Sequence, residues 1–199
     1  MSNSSHVQIQ TMKVSSGKSL KVLYPKVVGT YGEFVNYMNS KIVQQTQNLI
    51  NQQVGDIPSR IVEMYGNYEI KNNQRQVLSL SLSNYTYHFQ AAHGMTYIKS
   101  LTFDLKEEKL CSLKDLFLPE SDYLNKLSTV IKTQIDKREI PVINEFTGIQ
   151  NNQDFYIADK TLVIYFQLYE LTPYAFGFPM FPISLYELQD IIDENGPLG

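Results

Sequence analysis

The residues able to do chemistry are few: three histidines, one cysteine and a scatter of acids. His6, His88 and His93 lack the spacing of metal ligands. His93 lies in Ala91-Ala92-His93-Gly94 and reads as a turn residue whose ring is tied to neighbouring backbone or side chains. Its chemical reading, a general base, needs a positioned nucleophile or water, and no sequence neighbour supplies one. Cys111 is the sole cysteine, so an internal disulfide framework and a multi-thiolate metal site are excluded. It reads as a small packing residue beside Leu110 and Leu113. A glycosidase would need two acids roughly 5–10 Å apart across a sugar. Asp104, Asp115, Asp154, Asp159 and Glu170 stand near strand ends, but their spacing singles out no pair; they read as turn acids and caps. No glycine-rich phosphate loop occurs. No catalytic residue, metal or cofactor is therefore assigned.

Aromatic content is the unusual feature, with 14 tyrosines, 10 phenylalanines and no tryptophan. It is densest from Tyr165 to Tyr186. Within the loop Thr172–Pro179, Pro173 and Pro179 restrict the ends and Gly177 gives conformational freedom between them. Tyr174, Phe176 and Phe178 in that loop either pack under a sheet or form a recognition surface, and at least one ring is expected to be exposed.

The elements that must hold these residues follow from periodicity. A strand is expected at Leu20–Val28, with Pro25 marking an edge or bulge. Phe34, Met38, Ile42 and Leu49 predict a helix over 33–53, punctuated by Gly55 and Pro58. Strands follow at Glu63–Lys71, Val77–Phe89 and Met95–Leu105. In the second, Leu78, Leu80 and Leu82 alternate with Ser79, Ser81 and Ser83, which predicts a half-buried strand. The bulky parity then moves to Tyr85, Tyr87 and Phe89, implying a bulge or a change of covering layer. Lys106–Lys109 reads as a charged hairpin tip, and Ser112 and Asp115 as the cap of one short turn. Ser121 should cap a helix reaching Arg138. Strands at Phe155–Ala158 and Thr161–Leu168 follow, the latter covered on both faces, then a short strand Phe181–Ser184 and a last helix Leu185–Ile192. The expected class is α+β with mainly antiparallel, curved sheets and packing helices.

The 199 residues can bury roughly 70% of the unfolded chain's surface, enough for a real core. With 17 basic and 20 acidic residues the net charge is −3, against a nucleic-acid binder. No apolar run is long enough to span a membrane. The amino terminus lacks the charged and apolar regions of a secretory signal, which fits either a cytoplasmic protein or an exported one whose signal is not among these residues. Asn3-Ser4-Ser5 and Asn84-Tyr85-Thr86 fit the glycosylation pattern, a weak signal outside a secretory context. No residue pattern assigns an oligomeric state.

Four stretches together carry a resemblance: Ala92-His93-Gly94; Ser112 to Phe117; Phe155-Tyr156-Ile157 with Leu162 to Phe166; and Tyr169-Glu170-Leu171-Thr172-Pro173-Tyr174-Ala175-Phe176-Gly177. They resemble the family called domain of unknown function 3298. The stretch before His93 is similar to its usual companion, domain of unknown function 4163. The resemblance implies two adjoining α+β units, at 1–94 and 95–199, mostly extracytoplasmic and mostly from Gram-positive bacteria. It implies relatives that form the outer part of membrane-anchored anti-sigma regulators, one type of which senses lysozyme by binding it. Other relatives are joined to polysaccharide-deacetylase domains, and in neither setting is the unit known as the catalyst. Relatives usually carry Gly-Gly before Ala-His-Gly; Gln90-Ala91 stand here, so the left-handed turn that glycine permits is expected to be altered.

The expected function is a non-enzymatic recognition module with a protein or cell-wall glycan ligand, touched by Tyr174, Phe176, Phe178, His93 and Tyr169. Its rivals are a cell-wall glycan- or peptide-modifying enzyme using His93, and an intracellular structural or sporulation-related protein.

Overall fold

The computed structural model describes residues 6–29, 32–55 and 60–199; the Asn3 glycosylation pattern and Pro58 lie outside them. The chain runs β1 (Gln8–Ser16), β2 (Leu20–Val28), α1 (Gly32–Val54), β3 (Ile61–Gln74), β4 (Val77–His88), β5 (Met95–Asp104), β6 (Lys109–Leu110), α2 (Tyr123–Lys137), β7 (Phe155–Ala158), β8 (Thr161–Tyr165) and β9 (Met180–Ser184). Short 3-10 turns occupy Leu113–Leu116, Tyr174–Phe176 and Leu185–Glu187. The class is α+β.

β1 to β6 form a six-stranded sheet in sequence order, and β7-β8-β9 a three-stranded one. Every pairing is antiparallel except β2 with β3, which α1 joins as a crossover. That parallel pairing spans only Leu20 to Val22 on β2. Pro25, without an N–H, sits past its end and pairs only with Thr11 of β1. β1 itself was not legible in the sequence. Almost all its side chains are exposed, so no alternation of apolar and polar residues marks it.

α1 lays Phe34, Met38, Ile42 and Leu49 on Leu78, Leu80, Leu82, Leu101 and Phe103 of the large sheet. α2 lays Leu127, Ile131 and Ile135 on Ile157, Leu162, Ile164, Phe181 and Ile183 of the small one. The opposite faces of the two sheets meet, so the layers run α1, large sheet, small sheet, α2. This overturns the expectation that β4 is half-buried. Ser79 is 0% exposed and Ser81 7% because the small sheet covers them. The Ser79 hydroxyl contacts the Thr102 hydroxyl and accepts the Ile157 N–H at 3.0 Å, which satisfies an edge-strand donor that packing would otherwise orphan. β8 is buried on both faces as its sequence predicted, though it ends at Tyr165 rather than Leu168.

β4 pairs with β5 without a shift from Val77↔Asp104 to Thr86↔Met95; the register shifts lie in its pairing with β3. The parity change in β4 therefore marks a change of covering layer. Under the end of α1 the even positions become Asn84 and Thr86, and the Gln53 amide donates to the Asn84 carbonyl. Asn84, at 1% exposed, is closed to glycosylation. The β4–β5 connection carries Gly94, so residues 95–104 extend the sheet that the earlier strands begin.

Two further expectations change. α2 starts at Tyr123 with Asp122, not Ser121, at its cap position. The expected helix Leu185–Ile192 shrinks to one 3-10 turn, although its Ser184–Glu187 capping box forms. So short a segment does not repay helix nucleation, and Ile192 is drawn away to bridge Phe117.

Candidate binding site

Three aromatic side chains from two segments distant in sequence meet at one end of the large sheet. The β4–β5 connection delivers His93, and the segment after β8 delivers Tyr169 and Tyr174. The His93 ring stacks on Tyr174 with centroids 4.2 Å apart, and Tyr169 lies 5.5 Å from Tyr174. The Gly94 carbonyl organises the group. It accepts from His93 Nδ1 at 2.9 Å and from the Tyr174 hydroxyl at 3.0 Å. Because a carbonyl only accepts, the imidazole proton is on Nδ1. In the neutral ring Nε2 then accepts the Tyr169 hydroxyl at 3.1 Å.

The backbone presenting these rings is specialised. Gly94 is in close approach to Tyr85, whose ring a Cβ at Gly94 would meet at 2.2 Å. Burial, then the Glu63 carboxylate beside it, hold the Tyr85 phenol above its ordinary pKa. Gln90 takes φ +63°, so the left-handed turn survives without glycine. This corrects the expectation drawn from Gln90-Ala91. Tyr169 also takes a left-handed φ of +66° and remains 49% exposed. Glu170 closes that bend by accepting the Gln167 N–H.

The loop Thr172–Pro179 is rooted by buried Leu171 and Thr172. Phe176 N–H bonds the Pro173 carbonyl and Gly177 N–H the Tyr174 carbonyl, with Gly177 at φ +81°. Phe176 is 40% exposed, while Tyr174 and Phe178 are half-buried. Neither Phe176 nor Phe178 makes a ring contact with the triad among the described residues.

The five acids have structural partners. Asp104 accepts the Lys106 and Glu107 N–H groups of the β5–β6 turn. Asp115 caps the 3-10 turn through Ser112, and Asp159 pairs with Arg75. Asp154 pairs with Lys99 at 2.8 Å and accepts the Gln167 amide. Glu170 is raised above its ordinary pKa by burial, against the Gln167 N–H donation, with the Asp154 charge adding to the rise. The fold thus brings Asp154 and Glu170 near each other, which their spacing did not reveal. Cys111 packs in the α2-side core, and burial, followed by the Asp104 charge, pushes its thiol up to about 12.

Sequence reasoning missed a second lining. Tyr65 on β3 pairs opposite Tyr85 and is 46% exposed; beside them Asn67, Ser83 and Ile98 share one row of the sheet. Only the strand register places these residues together, and no local pattern signals it.

The fold is that of known proteins. A DUF3298 family protein from Pseudomonas aeruginosa PAO1 superposes with TM-score 0.66 at 12% identity, over 95% of this chain and 94% of that one. A member of the same family from Bacteroides fragilis superposes with TM-score 0.68 at 14% identity, over 97% and 96%. In sequence, the Bacillus subtilis (strain 168) peptidoglycan-N-acetylmuramic acid deacetylase PdaC is 26% identical over 140 residues. That match covers 67% of this chain and only 30% of the relative. Residues 114–186, which hold α2, the small sheet and the Tyr169–Tyr174 segment, match the model of the family described as "Protein of unknown function (DUF3298)".

Proposed function

We propose that this chain is a non-enzymatic recognition module that binds a cell-envelope ligand, a protein or a stretch of peptidoglycan, through the His93–Tyr169–Tyr174 corner and the exposed Phe176 ring. The carrying observation is the corner itself, in which three rings are fixed by one carbonyl and by each other while Tyr169 faces solvent. Rings held in place before binding lose little freedom on binding, and tyrosine offers apolar area with a polar tip. A tyrosine in the left-handed region costs about 1–2 kcal/mol that glycine would not. Its presence at position 169 favours a use for the ring.

Both nitrogens of His93 are engaged, and the candidate acids hold structural partners, which favours positioning over proton transfer. The peptidoglycan deacetylase relative supports a cell-wall setting, but this chain spans less than a third of it and its activity is not carried over. In this reading residues 1–94 are the companion unit and 95–199 the DUF3298-like unit, a division by resemblance, with β5 pairing across it.

Retention on insoluble peptidoglycan and on immobilised lysozyme tests the proposal. Wild type should bind at least one of them. Tyr169→Ala and Phe176→Ala should each cost about 1 kcal/mol of binding or more, with melting temperature unchanged. Equal retention of all three proteins, or of none, rejects it.

A further inference from the structure

The large sheet extends past the small sheet that covers it. Over Ser79 the cover is closed and the hydroxyl is paired. One row along, the Ser100 hydroxyl meets the Tyr165 hydroxyl at 2.8 Å. Beyond that a cleft of about 250 Å³ opens between the sheets. Its floor includes Asn67, Ser81, Ser83 and Thr96, and its roof Tyr156 and Met180.

The polar groups of this floor are unspent. Among the described residues, the side chains of Asn67, Ser81 and Thr96 make no hydrogen bond within the protein, and Ser83 makes only a long one, 3.4 Å, to the Asn67 carbonyl. Ser81 is 7% exposed as a residue, yet its hydroxyl is not a buried orphan, so it opens into the cleft. Adjacent strands place such groups about 4.8 Å apart, a lateral spacing close to that between alternate equatorial substituents of one pyranose ring. Tyr156 supplies an aromatic wall, and Ile98 and Met180 a small apolar patch.

Charge excludes other occupants. Among the described residues, the one cation lining the cleft, Lys71, lies over the Tyr156 ring and is paired with Glu69, so an anion finds no free partner among them. Where Ser81 and Ser83 line the floor, β4 is paired on both sides, with β3 and with β5, so an added peptide strand finds no edge on it there. The volume lies below the usual span of about 300–1,000 Å³ for drug-sized ligands, and fits one ring rather than several. We infer that this cleft binds one N-acetylated hexosamine residue of an uncharged glycan. Its hydroxyls would meet the serine, threonine and asparagine groups, and its acetamido methyl the Ile98–Met180 patch. The inference deepens the envelope reading, on which it rests for the source of the glycan, but uses a site separate from the aromatic corner.

The test titrates the isotope-labelled full chain with the tetramer of N-acetylglucosamine and follows its amides by NMR. Shifts should gather at Asn67, Ser81, Ser83 and Thr96. Asn67→Ala, at an exposed position, and Ser81→Val should each weaken binding about tenfold or more. Lys126→Ala, on α2 and outside both the cleft and the corner, should leave it unchanged, and maltotetraose, without acetamido groups, should bind far more weakly. Shifts confined to Gly94, Tyr169, Tyr174 and Phe176 would overturn the cleft and leave the corner standing. No shift at millimolar tetramer, or equal binding of maltotetraose, would overturn the inference as well. Cleft shifts together with no retention on peptidoglycan or lysozyme would sustain the sugar site and sink the corner.

Discussion

A Cβ added to Gly94 would lie 2.2 Å from the Tyr85 ring, so no larger residue enters without moving the ring or the connection. The same residue's carbonyl holds His93 and Tyr174, so displacement would loosen the corner at once. Gly94→Ala should therefore destabilise the chain by about 1–3 kcal/mol in chemical denaturation. The loss should shrink when Tyr85→Ala is added, since the two residues are in contact. Additive losses would place the strain elsewhere. Cys111 gives a second test at this scale. Its thiol, raised to about 12 by burial, is protonated from pH 7 to 9. The native protein should resist a thiolate-selective reagent at pH 8 and react fully once unfolded by urea. Rapid native labelling would contradict the burial.

At the scale of elements, Ser112-x-x-Asp115 was readable as a cap, and the 3-10 turn at Leu113–Leu116 is where it predicts. Burial pushes the Asp115 carboxyl up, but the Ser112 hydroxyl and N–H donate to it and Lys109 lies beside it, leaving it below its ordinary pKa of 3.8. A carboxyl depressed in the folded state stabilises above its unfolded pKa, and that contribution fades as pH falls through the folded value. Asp115→Asn should cost about 0.5–1 kcal/mol at pH 7, typical of a lost cap at a partly exposed site. The gap from wild type should close below about pH 4. A gap independent of pH would deny the carboxylate its role. Legibility followed burial. β4, β8, α1 and α2 were plain in the sequence because each buries a periodic apolar face. β1 was not, because it buries almost none. Ser79 and Ser81 read as solvent-facing because a serine covered by a second sheet looks in sequence like one facing water. His93 and the aromatic loop drew notice by composition. Their meeting at the Gly94 carbonyl depends on contacts 76 and 80 residues apart, which no local pattern encodes.

At the scale of the whole molecule, the two cores lie on the outer sides of two sheets, and the question is whether the layers stand alone. A three-stranded sheet backed by one helix could in principle persist by itself. Here the inner faces are tied by specific bonds rather than by simple apolar contact. Ser79 accepts the Ile157 N–H, Lys99 pairs with Asp154, and Tyr165 meets Ser100. Gln167 pairs with both backbone groups of Ile98. Separating the sheets would open each of these polar contacts and bare buried Val163 and Tyr165. Partial unfolding would therefore expose almost as much as it released, which favours one cooperative transition. Leu80, 0% exposed in the α1-side core, and Leu162, 0% exposed in the α2-side core, report the two halves separately. Each Leu→Ala change should remove about 2–5 kcal/mol. If the layers are one unit, either substitution shifts a single urea transition to a lower midpoint. Far-ultraviolet dichroism and tyrosine fluorescence should then coincide, with the denaturant slope unchanged. If they are independent, the curve splits, with Leu80→Ala moving one phase and Leu162→Ala the other. That outcome would also place the cleft between two bodies free to move, and a sugar seated across it would then join them into a single transition.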